Sequence, residues 1–154
     1  MDESEPDHLK YISGGQWKLH AGTDSEVLPA WVKEWSSAFA NKLRDVTDGD
    51  GDFFILSRNG WAGTAASGTA LWSGDVGSSF RELATAVKAG QQAGLSGIPL
   101  WTTDIGGYIG GDPDKAAFQE LIVRWFQFGA FCPLFRLHGH RSGKSVEPPN
   151  ACGK

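Results

Sequence analysis

In the stretch Gly97-Ile-Pro-Leu-Trp-Thr-Thr-Asp-Ile-Gly-Gly-Tyr-Ile-Gly-Gly111 a short apolar run turns abruptly into a carboxylate and then into glycines. Ile98 to Trp101 has the length and composition of a buried strand, and Asp104 stands where that strand would end. A carboxylate at the mouth of a buried strand needs a partner or a purpose. The glycine pairs that follow predict a loop that another molecule can approach closely.

The same arrangement recurs on both sides. Phe53-Phe-Ile-Leu56 is a continuous apolar run ending in Ser57-Arg58, and Thr69-Ala-Leu-Trp72 ends in Ser73-Gly74-Asp75. Downstream, Cys132-Pro-Leu-Phe135 runs into Arg136-Leu-His138-Gly-His140. Each run has the character of a strand covered on both faces. The intervening segments have helical spacing. Ser79 and Glu82 form a capping box ahead of a face made of Phe80, Leu83, Ala84 and Val87. Asp112-Pro113 predicts a helix start, continued by Phe118, Leu121, Ile122, Trp125 and Phe126 until Gly129. Upstream, Leu28, Trp31, Val32, Trp35, Phe39 and Leu43 predict a helix from about Leu28 to Arg44, with Pro29 in its first turn. Residues 1 to 26 are polar and read as a long loop or frayed terminus.

Buried strands alternating with amphipathic helices indicate a parallel α/β sheet, in which ligands bind at the carboxyl ends of the strands. Arg58, Asp75, Asp104 and His138 would then converge on one mouth. A complete (β/α)8 barrel takes ~250 residues. At 154 residues the chain reads as a piece of one, in preference to a doubly wound domain, whose strands would be joined by more regular helices.

Composition narrows the partners. Seven Trp and twenty-one Gly favour loops and aromatic surfaces of the kind that line carbohydrate or other planar-faced sites. A net charge of −4 argues against nucleic acid and anionic membrane. No apolar run approaches the ~20 residues needed to span a bilayer, and Met1-Asp-Glu-Ser-Glu-Pro6 has neither the basic nor the apolar part of a secretory leader. Cys132 and Cys152 do not make a disulfide framework, and Cys132 reads as a buried thiol.

Taken singly, each polar group has an ordinary explanation: Asp112 is a cap, Arg58 an ion-pair partner, and Trp72 and Trp101 are core. Four in succession at equivalent strand ends call for chemistry. Two carboxylates suit glycoside hydrolysis, one ionised to attack or stabilise an oxocarbenium-like centre and one protonated to assist the leaving oxygen. A metal held by His138-x-His140 with Asp75 or Asp104 is the weaker alternative, because barrel metallohydrolases usually carry these elements in the reverse order.

Trp72-Ser-Gly-Asp75, Gly94-Leu-Ser-Gly-Ile-Pro99, Asp104-Ile-Gly-Gly107, Arg124-Trp125, Gly129-Ala-Phe131 and Arg136-Leu-His138-Gly139 resemble, in the same order, motifs of glycoside hydrolase family 31. That family comprises retaining α-glucosidases, α-xylosidases and relatives on a (β/α)8 barrel. Asp2-Glu-Ser-Glu-Pro6 resembles the family's Asp-x-x-Glu-Pro nucleophile motif at the end of the fourth strand. The resemblance implies a partial (β/α)8 barrel, about strands 5 to 8 plus the end of strand 4, over residues 1–141, with 142–154 starting a post-barrel linker. It implies Asp2 as nucleophile, Asp75 as general acid/base and Glu5 as a support for the nucleophile. Arg58, Trp72, Trp101, Asp104, Arg136 and His138 would line the sugar subsite, Asp104 as a sugar-contacting or site-orienting carboxylate. It implies no metal and no cofactor, an α-glucoside or α-xyloside substrate, and the remaining barrel half as partner, without which the isolated chain would be inactive. The Ser13–Asp24 insert is similar to that of the xyloglucan-type α-xylosidases, whereas Asn59–Ser67 departs from the Ser-Gln-Arg-Tyr that many members have.

Overall fold

A computed structural model describes residues 18–19, 22–47 and 51–140, with side chains from residue 30 onward. The chain divides into two units, one comprising Met1–Trp72 with Gln91–Trp101 and the other Ser73–Gly90 with Thr102–Lys154.

In the first unit β1 (Lys18–Leu19) pairs antiparallel with β2 (Gly22–Thr23), inside the segment expected to be loop. The helix α1 that follows runs Asp24–Val46, longer than the expected Leu28–Arg44. Asp24, Ser25 and Glu26 suit a first helical turn, so the helix begins ahead of the apolar stripe and Pro29 falls in its second turn. Trp31, Trp35 and Phe39, four residues apart, line one side: the Trp31 and Trp35 rings stack with centroids 6.1 Å apart, and Phe39 lies tilted against Trp35 at 5.4 Å. Strand β3 (Ile55–Ser57) pairs in parallel with β4 (Thr69–Trp72), Ile55 opposite Thr69. The strand expected at Phe53–Leu56 therefore starts two residues late. Phe53 is held outside the ladder, its amide on the Gly51 carbonyl and its ring under Arg44, while Phe54 is exposed.

The third strand of this sheet, β5 (Trp101–Thr102), lies beside β4. The bonds Leu71 N to Leu100 O (2.9 Å) and Ser73 N to Thr102 O (3.1 Å) advance together along both strands, as in parallel pairing. Here too the expected strand is displaced. Ile98 does not pair in the sheet but closes the preceding helix, α2 (Phe80–Leu95): its amide reaches the Ala93 carbonyl at 2.9 Å and that of Gly97 reaches Gly94 at 3.2 Å. This is a Schellman end, with Gly97 at φ 79° in the left-handed position where glycine carries no Cβ penalty. The start of α2 is capped as expected, the Glu82 amide donating to Ser79 Oγ at 3.1 Å. Its inward face, however, is Leu83, Ala86 and Val87, with Phe80 and Ala84 exposed.

In the second unit, Ala86, Ile105, Phe118, Leu121 and Trp125 form the core, supported by Val76, Leu83, Ile122 and Phe128. Helix α3 (Ala116–Gly129) supplies three of these. It starts after the expected Pro113, because Asp112 closes two local turns instead, accepting from the Asp114 amide on its side chain and the Lys115 amide on its carbonyl (3.0 Å each). The fourth expected strand, Cys132–Phe135, does not form. The Cys132 amide is spent on Gly129 and Pro133 has no N–H, so pairing resumes only at Leu137 and His140 as isolated parallel bridges. Among the described residues no helix is long and apolar enough to cross a membrane.

Candidate active site

Thr102, Thr103, Asp104 and Ile105 are all fully buried, an unusual density of polar groups for a core. Each polar group is used to tie neighbouring segments together. Thr102 Oγ1 donates to Leu134 O at 3.0 Å, and Thr103 Oγ1 shares a 2.9 Å hydrogen bond with Ser73 Oγ. Asp104 Oδ1 accepts from Arg136 Nη2 at 2.7 Å, and the Ile105 amide donates to the Arg136 carbonyl at 3.2 Å. Asp104 is 0% exposed and the Arg136 side chain 28% exposed. A carboxylate this deep is held by its cation, and removing either partner of such a pair costs about 3–5 kcal/mol.

Asp75 is the opposite case. It is exposed, yet it sits between two anchored residues. On one side Ser73 is tied to Thr102 and Thr103. On the other, the Val76 carbonyl accepts from Tyr108 N (2.7 Å) and Ile109 N (3.1 Å), and Ser78 N donates to Ile109 O at 2.9 Å. The same Gly106–Ile109 turn reaches the His138 segment: His140 N donates to Tyr108 O at 2.7 Å, and the Tyr108 and His138 rings stack with centroids 4.9 Å apart. Ile109 bridges Gly77 on one side and His140 on the other. At Gly107 the close approach is made by the chain's own backbone at Gly77 and Ser78, whereas Gly110 has open space around it.

Arg58, Trp72 and Trp101 belong to the first unit. Arg58 lies over the Trp72 ring, 5.8 Å from its centroid, and both indoles are buried. Asp2 and Glu5 lie outside the described residues. Thus Arg58 meets Trp72 in one unit, and in the other Asp104 meets Arg136 while one turn touches the segments of Asp75 and His138. Tyr108 and the Ser73–Thr103 hydroxyl pair were not singled out by sequence; only the position of Tyr108 directly after Gly106-Gly107 marks it. Among the described residues no group of three or more His, Cys, Asp or Glu side chains is placed to hold a metal ion.

With this geometry in view, the comparisons with known proteins are specific. The family described as glycosyl hydrolases family 31, TIM-barrel domain, matches residues 1–153. The chain belongs to that family. It is 42% identical over 141 residues to the uncharacterized family 31 glucosidase ORF2 of Pseudescherichia vulneris, covering 92% of this chain and 26% of that protein. It is 45% identical over 85 residues to an α-xylosidase of Saccharolobus solfataricus, covering 55% of this chain and 12% of that protein. Among solved structures, a family 31 α-xylosidase from a soil metagenome, complexed with xylose, superposes with a TM-score of 0.76 at 40% identity, covering 87% of this chain and 20% of the other. The chain thus spans about a quarter or less of the length of these relatives.

Proposed function

We propose that the chain is part of a retaining glycoside hydrolase that removes terminal α-linked glucose or xylose from oligosaccharides by double displacement. The observation that carries the assignment of roles is the contrast between two strand-end carboxylates, Asp104 and Asp75. Asp104 is fully buried against Arg136, whereas Asp75 is exposed on a short anchored span, where a proton can pass between it and a substrate. In this reading the Asp2 carboxylate attacks the anomeric carbon as the glycosidic C–O bond breaks, and the leaving oxygen takes the Asp75 proton. Asp75 then removes a proton from water, which attacks the same carbon and releases Asp2. Glu5 supports the nucleophile, and Arg58, Trp72, Trp101, Asp104, Arg136 and His138 shape the sugar subsite. Residues 1–141 supply barrel strands 5 to 8 and the end of strand 4, and 142–154 begin a linker.

The test is hydrolysis of aryl α-glucosides and α-xylosides by the whole enzyme, followed by NMR of the first-formed sugar. The α anomer is expected. A β anomer, or full activity after Asp75→Ala, contradicts the reading. A second reading has the isolated chain inactive and dependent on the rest of the barrel; the exposed Leu95, Phe131 and Leu137, 90%, 92% and 61% accessible, favour it. Clear turnover by the chain alone excludes this second reading.

A further inference from the structure

We propose that the turn Gly106–Ile109 is a positioning element that sets Asp75 from one side and His138 from the other, with Gly107 and Tyr108 as its two positioning residues. The inference rests on the functional reading above, in which Asp75 is the acid/base and His138 a sugar contact.

The side toward Asp75 is built from backbone. Asp75 lies between Ser73, fixed by Thr102 and Thr103, and Val76, whose carbonyl takes two amides from the turn and whose side chain packs against the core. Its freedom is therefore limited to the Gly74–Asp75 span, and where that span ends is set by Val76–Ser78. Gly107 decides how close that segment comes. At φ 78° it adopts a conformation that L side chains rarely take, and a Cβ there would stand 2.7 Å from Gly77 C, Gly77 O and Ser78 Cα. All three are backbone atoms of the segment that begins one residue after Asp75, so none can rotate away. A methyl at position 107 has to push Gly77–Ser78 outward, and Asp75 moves with it.

The side toward His138 is built from a ring. Tyr108 stacks on the imidazole at 4.9 Å with an interplanar angle of 30°, and its carbonyl holds the His140 amide two residues further on. Tyr108 thereby fixes both the plane of the His138 ring and the backbone beyond it. The phenol oxygen is not part of this contact, so Phe can replace Tyr and Leu cannot.

A turn that merely stabilised the fold would affect all substrates alike, whereas a turn that positions a proton donor does not. A displaced acid slows substrates whose leaving group needs a proton and spares those whose leaving group departs unaided. In the whole enzyme, Gly107→Ala is expected to lower kcat/KM on an α-linked disaccharide by about 100-fold and on the α-glycosyl fluoride by less than about fivefold, with azide restoring turnover. Equal losses on both substrates, without an azide effect, overturn the proposal. Asp75→Ala, run alongside, must show the same selectivity; if it does not, the functional reading falls and this inference with it. If Gly107→Ala does not fold, Tyr108 decides. Tyr108→Leu is expected to raise KM about three- to tenfold at near-constant kcat and with no leaving-group preference, as suits loss of a stacking contact, and Tyr108→Phe to restore the parent value. An unchanged KM in Tyr108→Leu, or equal damage in Tyr108→Phe, overturns it.

Discussion

Asp75 and Asp104 occupy equivalent places in the sequence, each a carboxylate just after a short buried strand, and the structure treats them in opposite ways. Asp104 has no accessible surface, and its charge is balanced by Arg136 from a segment 32 residues away. Asp75 is open to solvent, and what is fixed around it is backbone. A buried, paired carboxylate contributes to holding segments together and has no surface open to water. An exposed one contributes little to stability and is free to trade a proton. The strand-end position alone does not separate the proposed acid/base from a brace; burial and pairing are what the proposal rests on.

Substitutions sharpen this contrast in order of expected size. Asp75→Ala in the whole enzyme is expected to lower turnover of poor leaving groups by about 10²–10⁴-fold, measured by steady-state kinetics. The same change shifts the urea-unfolding free energy by no more than about 0.5 kcal/mol. Arg136→Ala behaves the other way round, destabilising the fold by about 3–5 kcal/mol because the buried Asp104 carboxylate loses its guanidinium partner. Replacing both partners, Asp104→Asn with Arg136→Gln, recovers a large part of that loss in the same unfolding experiment. If the single and double replacements cost the same, the pair is not the brace described here. Ser79→Ala, which removes the cap of α2, is worth about 1 kcal/mol and leaves kinetics untouched. The smallest effect concerns Cys132, whose thiol is pushed up from its ordinary range by burial. Less thiolate is then present at pH 8 than in an ordinary cysteine, so its alkylation by iodoacetamide is slower than that of the unfolded chain.

The alternation of parallel strands and amphipathic helices was legible in the sequence, because β4 is a short apolar run, α2 and α3 carry their apolar periodicity locally, and α2 carries its Ser79 cap as well. Two of the misplaced boundaries share a cause: an apolar run next to a helix end can serve the helix in place of the sheet. Ile98 closes the Schellman end of α2, and Cys132 continues the turns after α3. Both look like strand residues until their amides are assigned. The candidate carboxylates were visible as residues and took their expected roles only from the family resemblance; the Asp104–Arg136 pair was not visible, since it joins positions 32 apart and no local pattern announces it. Tyr108 escaped notice for the same reason, its significance lying in a ring 30 positions downstream. The glycines were read as a loop for another molecule to approach, whereas at Gly107 it is the chain's own Gly77–Ser78 backbone that comes close.

The most direct test of the division between the two carboxylates is azide rescue of Asp75→Ala in the whole enzyme, read by NMR of the product. If Asp75 is the acid/base, the enzyme lacking it still forms the glycosyl intermediate from an activated α-glycoside, and azide, which needs no deprotonation, attacks it. The account predicts an azide-dependent rise in rate and an α-glycosyl azide product. Hydrolysis as fast as in the parent, or a loss that azide does not relieve, would contradict it.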